Sequence, residues 1–132
     1  MRGLAALVRR PLGGRRLVAA VAEALGGPCR VLVIGGGGWG ARLAAQGFAV
    51  GADGGIVDAA LLIEQLQSDA HGLDLAALPE GARVVSVERI VGADGVRLEE
   101  ISAGFLAAGL RDIEQRTVGP AVVTSGHIGF LL

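Results

Sequence analysis

Lysine, asparagine and tyrosine are absent from this chain of 132 residues, and aromatic side chains make up only 3% of it. The core must therefore be aliphatic, and a hydrophobic content of 52% supplies enough for one core of moderate size. Cys29 is the only cysteine, which excludes an intramolecular disulfide and a cysteine-cluster metal site. No apolar run reaches the roughly 18 residues that a bilayer span needs. The stretch LAALV near the start is too short for a secretory signal, so the expectation is a cytoplasmic chain with no membrane partner. All 12 basic residues are Arg, set against 13 acids, and the resulting net charge of −1 argues against a nucleic-acid partner. Acids are missing before Glu23, whereas Arg2, Arg9, Arg10, Arg15 and Arg16 precede it. Such a start is a solvated, frayed arm over residues 1–14, an organelle transit segment or a contact for an anion.

Hydrophobic spacing divides the rest of the chain into short units. Leu17, Val18, Val21, Ala22 and Leu25 recur at helical intervals over 15–26, and Gly26-Gly27-Pro28 stops that helix. Arg30–Ile34 is a β-branched apolar run between Pro and Gly, the pattern of a buried parallel strand. A short helix over Ala41–Gln46 follows, then strands over Phe48–Ala52 and Ile56–Ile63. The spacing next predicts a helix over 73–79, ended by Pro79, and a strand over Ala82–Ile90. Val96, Leu98, Ile101, Phe105 and Leu110 share one side of a helix over 96–110. Ile113–Val118 and Ala121–Leu132, joined at Gly119-Pro120, suit an antiparallel hairpin. Strands alternating with helices imply parallel βαβ units, and the hairpin makes the sheet mixed. The expectation is a single α/β domain over 1–132, with about six strands and helices on both faces.

Glycine is the residue in excess, with 23 copies, four of them consecutive in VLVIGGGGWGARL, residues 31–43. Glycines after a first strand permit a turn closed to other residues and let a ligand approach the main chain. The amides of the following helix then point at that ligand. Gly35, Gly37 and Gly40 fit G-x-G-x-x-G, and Gly36, Gly38 and Gly40 fit G-x-G-x-G. Four glycines in a row fit many templates, and a tight turn without a ligand is the alternative.

The order of units resembles the class I S-adenosylmethionine-dependent methyltransferases, a Rossmann-like family whose sheet is parallel except for a late antiparallel strand. RVLVIGGGGWG is similar to the family's first strand and glycine loop, and GFAVGAD to its second strand. VDAALLIEQLQ resembles the strand and loop beneath the methyl-transfer centre, and LPEGARVVSVE the following helix-turn-strand step. ISAGFLAAGLRDIEQRTVG and AVVTSGHIGFLL resemble the late helix and the last two strands, so the likeness spans residues 16–132. It implies S-adenosylmethionine as cofactor, held by Gly35, Gly36, Gly37, Gly38, Trp39, Gly40 and Asp53, and a small-molecule substrate. Val33 and Ile34 differ from the family, which carries an acid before the glycines. Between Asp53 and Ile56 the family's third-strand region is missing, which leaves the second strand as a sheet edge. An open edge in an apolar chain invites a homo-oligomer or a larger protein partner. A nicotinamide or flavin domain shares the strand, glycines and acid, but it needs a longer first crossover and a second half.

Asp53 is a ribose ligand or a turn-former before Gly54-Gly55. Glu64 follows the third apolar strand, where it is a base, a substrate contact or an acid favouring a helix dipole. His71, in SDAHGLD, titrates near neutrality and is the best general-base candidate, or else an exposed loop histidine. Glu88 and Arg89 read as solvated or paired charges, and His127 as structural. Trp39 either stacks on an adenine or covers a hydrophobic seam. The two histidines lack the spaced partners of a metal site, and Ser68 and Ser125 lack a nucleophile-elbow setting. Two functions stay open: a small methyltransferase, and a pseudoenzyme that keeps the fold as an interaction or accessory subunit.

Overall fold

A computed structural model describes residues 12–35, 38–51, 57–64, 78–90 and 97–129. These residues form helices α1 (Arg15–Ala24), α2 (Trp39–Ala45) and α3 (Leu98–Ala107). They also form strands β1 (Arg30–Ile34), β2 (Ala49–Val50), β3 (Ala59–Ile63), β4 (Arg83–Arg89), β5 (Leu110–Val118) and β6 (Ala121–Ile128). One sheet holds all six strands in the order β2-β1-β3-β4-β6-β5. β2, β1, β3 and β4 run parallel, and β6 is antiparallel to both of its neighbours. This is the mixed Rossmann-like sheet expected from the sequence. The place outside β2 is unfilled among the described residues, and only residues 51–58 separate β2 from β3.

The pleat sorts alternate strand residues to opposite faces, and both faces are covered. Leu61, Ile63, Val85, Val87 and Val123 meet Leu17, Val18 and Val21 of α1 and Leu43 of α2. Ala60, Leu62, Val84 and Val122 meet Ile101 and Phe105 of α3 on the other side. α1 ends as the glycines predict, with Gly26 and Gly27 at positive φ of 86° and 96°. Gly126 on β6 is what lets α3 approach the sheet. A Cβ there would stand 3.3 Å from both the Phe105 ring and the Arg111 carbonyl oxygen.

Three expectations are corrected. Leu110 does not belong to the helix: Gly109, at φ 89°, ends the turn after α3, and Leu110 opens β5, buried against the α3 side of the sheet. The second strand is confined to Ala49–Val50, and Phe48 precedes it as a buried core residue. Of the two readings of Glu88, solvated or paired, burial removes the first, since it lies on β4 with no exposed surface at all. The helix expected over 73–79 falls mostly outside the described residues, and Leu78 and Pro79 are not helical. The hairpin forms with Gly119-Pro120 at its turn, and a register shift in β5 between Arg111 and Glu114 bulges its outer strand.

Candidate functional site

Strand order reverses at β1, because β2 lies on one side of it and β3 on the other. In open sheets of this kind, ligands bind in the crevice beyond the carboxyl ends of the strands at that reversal. The residues delivered there are Gly35 after β1, Gly38 and Trp39 at the start of α2, Glu64 after β3, and Glu88 and Arg89 at the end of β4. Gly35 and Gly38 both adopt φ of 86°, a conformation that glycine alone adopts routinely. Gly38 caps α2 with no side chain on the helix amides. Gly40 faces β2, where a Cβ would stand 3.5 Å from Val50. Gly36, Gly37, Asp53 and His71 lie outside the described residues.

Trp39 is turned into the core, 1% exposed, and its Nε1 donates to the Leu12 carbonyl oxygen at 3.0 Å. Of its two expected roles, the geometry is that of a seam cover. The Arg42 guanidinium lies 5.8 Å from the centre of the indole. It also flanks the glycine loop, within 3.7 Å of the point where a Gly38 Cβ would be. Its Nη1 is buried without a hydrogen-bond partner. An orphaned guanidinium nitrogen in this position is a ready receptor for a carboxylate.

At the far side of the crevice, Glu64 has a left-handed backbone, φ 53°, and its amide donates to the Val87 carbonyl oxygen at 2.8 Å. Its carboxylate pairs with Arg89, Oε1 to Nε at 3.7 Å, with the side chains 29% and 14% exposed. Behind this pair, on the α3 face, runs a buried polar row of Glu88, Ser86 and Thr124. Ser86 is in register with Thr124, whose Oγ1 accepts from Gln115 Nε2 at 3.2 Å, while Ser86 Oγ has no partner. The Glu64–Arg89 pairing was open to sequence reasoning only as a paired charge. The burial of Glu88 follows from strand alternation, because Val84, Ser86 and Glu88 share a face.

His127 on β6 sits at the opposite end of the sheet, in register with Arg83, with its Nδ1 3.5 Å from Asp112 Oδ2. Cys29 also lies at that end, and burial pushes its thiol up from the usual range, with Asp58 adding to the effect. Among the described residues, no group of three or more His, Cys, Asp or Glu could hold a metal ion. No described helix is long and apolar enough to cross a membrane.

The sheet order, with its single antiparallel strand beside β4, defines the class I S-adenosylmethionine-dependent methyltransferase fold. Solved structures carry the same fold. The Burkholderia thailandensis 1,6-didemethyltoxoflavin-N1-methyltransferase, bound to 1,6-didemethyltoxoflavin and S-adenosylhomocysteine, superposes with a TM-score of 0.64 at 18% identity, over 88% of this chain and 78% of that one. An O-methyltransferase family protein from Burkholderia thailandensis gives 0.62 at 13% identity, over 86% of this chain and 55% of that one. Human N-acetylserotonin methyltransferase, in complex with S-adenosylmethionine, gives 0.60 at 13% identity, over 90% and 52%. The chain thus spans about half the length of the last two. No protein-family model matches the sequence, and no curated protein sequence matches it.

Proposed function

We propose that this chain is a small S-adenosylmethionine-dependent methyltransferase acting on a small molecule. The observation that carries this reading is the glycine loop at the strand-order reversal, flanked by the buried, unpartnered Arg42 Nη1. Gly35 and Gly38 leave the main chain open to close approach, and Arg42 suits the carboxylate of the donor's methionine portion. Asp53 is assigned the ribose hydroxyls, with Gly36, Gly37 and Gly40 completing the loop. When bound, S-adenosylmethionine supplies a methyl group activated for in-line displacement, so the protein's task is mainly orientation. Glu64, held by Arg89, stands where an acceptor would lie and takes the proton that its nucleophile releases. His71 is the second candidate for that proton.

One observation favours a second reading, a pseudoenzyme serving as an accessory subunit. β1 ends in Val33 and Ile34, which offer the donor's amino group no acid. Under either reading the exposed β2 edge, Ala49 and Val50, is where a second copy or a larger partner would add.

Calorimetric titration with S-adenosylmethionine and S-adenosylhomocysteine tests the enzyme reading. Wild-type protein should bind both at micromolar levels, and Arg42→Gln and Asp53→Ala should each weaken binding by about tenfold or more. Absence of binding to either ligand would leave the accessory-subunit reading.

A further inference from the structure

Away from the glycine loop, a cavity of about 420 Å³ opens between the start of α1, the end of β4 and the β5–β6 turn. Its volume falls within the range of small-molecule sites. Its wall is of two kinds. Leu17, Val118 and Pro120 supply apolar surface, and Arg15 and Arg16 line it beside Arg89, whose charge is paired with Glu64. None of the described residues lining it is acidic, although the chain as a whole has a net charge of −1. The first turn of α1 carries no acid and no capping side chain, so the helix end adds to this positive field without neutralising it.

The cavity lies some way from the glycine loop. Arg89 closes β4, which is two strands from β1 in the sheet. Ile34 is in register through Leu62 with Ser86, so Arg89 stands two strand spacings across and three residues further along, about 14 Å from the end of β1.

We propose that this cavity anchors the methyl acceptor, and that the acceptor is a small organic acid. Its apolar body rests on Leu17, Val118 and Pro120, and its carboxylate or phosphate is gripped by Arg15 and Arg16, while Arg89 stays paired with Glu64. The planar guanidinium fork matches either anion, which suits arginine to this use. The anion's role as acceptor rests on the methyltransferase reading above, whereas its binding does not.

The probes are benzoate and phenyl phosphate, titrated calorimetrically into the full chain at low ionic strength. Wild type is compared with Arg15→Gln/Arg16→Gln and with Arg116→Gln, an exposed arginine on β5 that pairs with Glu23 away from the cavity. Circular dichroism confirms that each variant is folded. The double variant should bind at least about tenfold more weakly, with Arg116→Gln unchanged. Equal weakening in both variants would show a diffuse charge effect and overturn the proposal, as would a wild type that binds neither probe. S-adenosylhomocysteine, titrated in parallel, separates the two readings. Its binding without anion binding removes this subsite alone, and anion binding without it removes the methyltransferase assignment while the anion site stands.

Discussion

Glu64 concentrates several of the constraints on this molecule in one residue. A glutamate at φ 53° adopts a backbone that costs about 1 kcal/mol relative to the right-handed helical region, yet it is held there by the hydrogen bond from its amide to the Val87 carbonyl oxygen and by Arg89. Strain at the carboxyl end of a central strand fits a residue selected for where its side chain points. Glu64→Gly and Glu64→Ala both delete the carboxylate, but only glycine tolerates the left-handed turn without cost. The glycine variant should therefore be more stable than the alanine variant by about 1 kcal/mol in urea unfolding, the reverse of their usual order. Alanine equal to or better than glycine would show that the position carries no backbone strain. Trp39 marks the limit of sequence reasoning at this scale. A tryptophan among glycines suits stacking and seam-covering equally, and only the hydrogen bond to Leu12 separates them.

Single elements were legible where one force dominated. β3 is a short apolar run buried along its whole length, and β1 is a β-branched apolar run with Val31 fully buried, so no other state competes for them. β4 was legible as a strand, but the burial of Glu88 required following its alternation past the last apolar residue. The end of α3 was misplaced because Leu110 is apolar and follows the helix closely, whereas Gly109 turns the chain before it. Helix and hairpin then meet at Gly126, where a Cβ would stand 3.3 Å from the Phe105 ring of α3. Gly126→Ala should destabilise the protein by about 1–3 kcal/mol, because the new methyl group meets Phe105 and a backbone oxygen that cannot yield cheaply. Urea unfolding checks this, and an unchanged midpoint would mean that α3 sits farther from the sheet.

For the whole molecule, the order of units carried the fold, since right-handed crossovers leave few ways to arrange four parallel strands and a terminal hairpin. The site was less legible, because a crevice at strand ends is assembled from residues far apart in sequence. Gly38 and Arg42 belong to one short helix, as its cap and its last turn, but Glu64, Arg89 and Arg15 reach the same end of the sheet only through its topology. The two sheet edges also differ. β5 is bulged and lined with exposed charges, features that discourage pairing, whereas β2 is short, apolar and exposed.

On the methyltransferase reading proposed above, the carboxyl-end crevice at β1 holds the methyl donor. This placement is tested most directly by mapping backbone amide shifts of the nitrogen-labelled protein as S-adenosylhomocysteine is added. Shifts should centre on Gly35, Gly38 and Gly40 and extend to Glu64, with Arg83 and His127 at the opposite end unmoved. Shifts clustered at that opposite end, or none at saturating ligand, would contradict it.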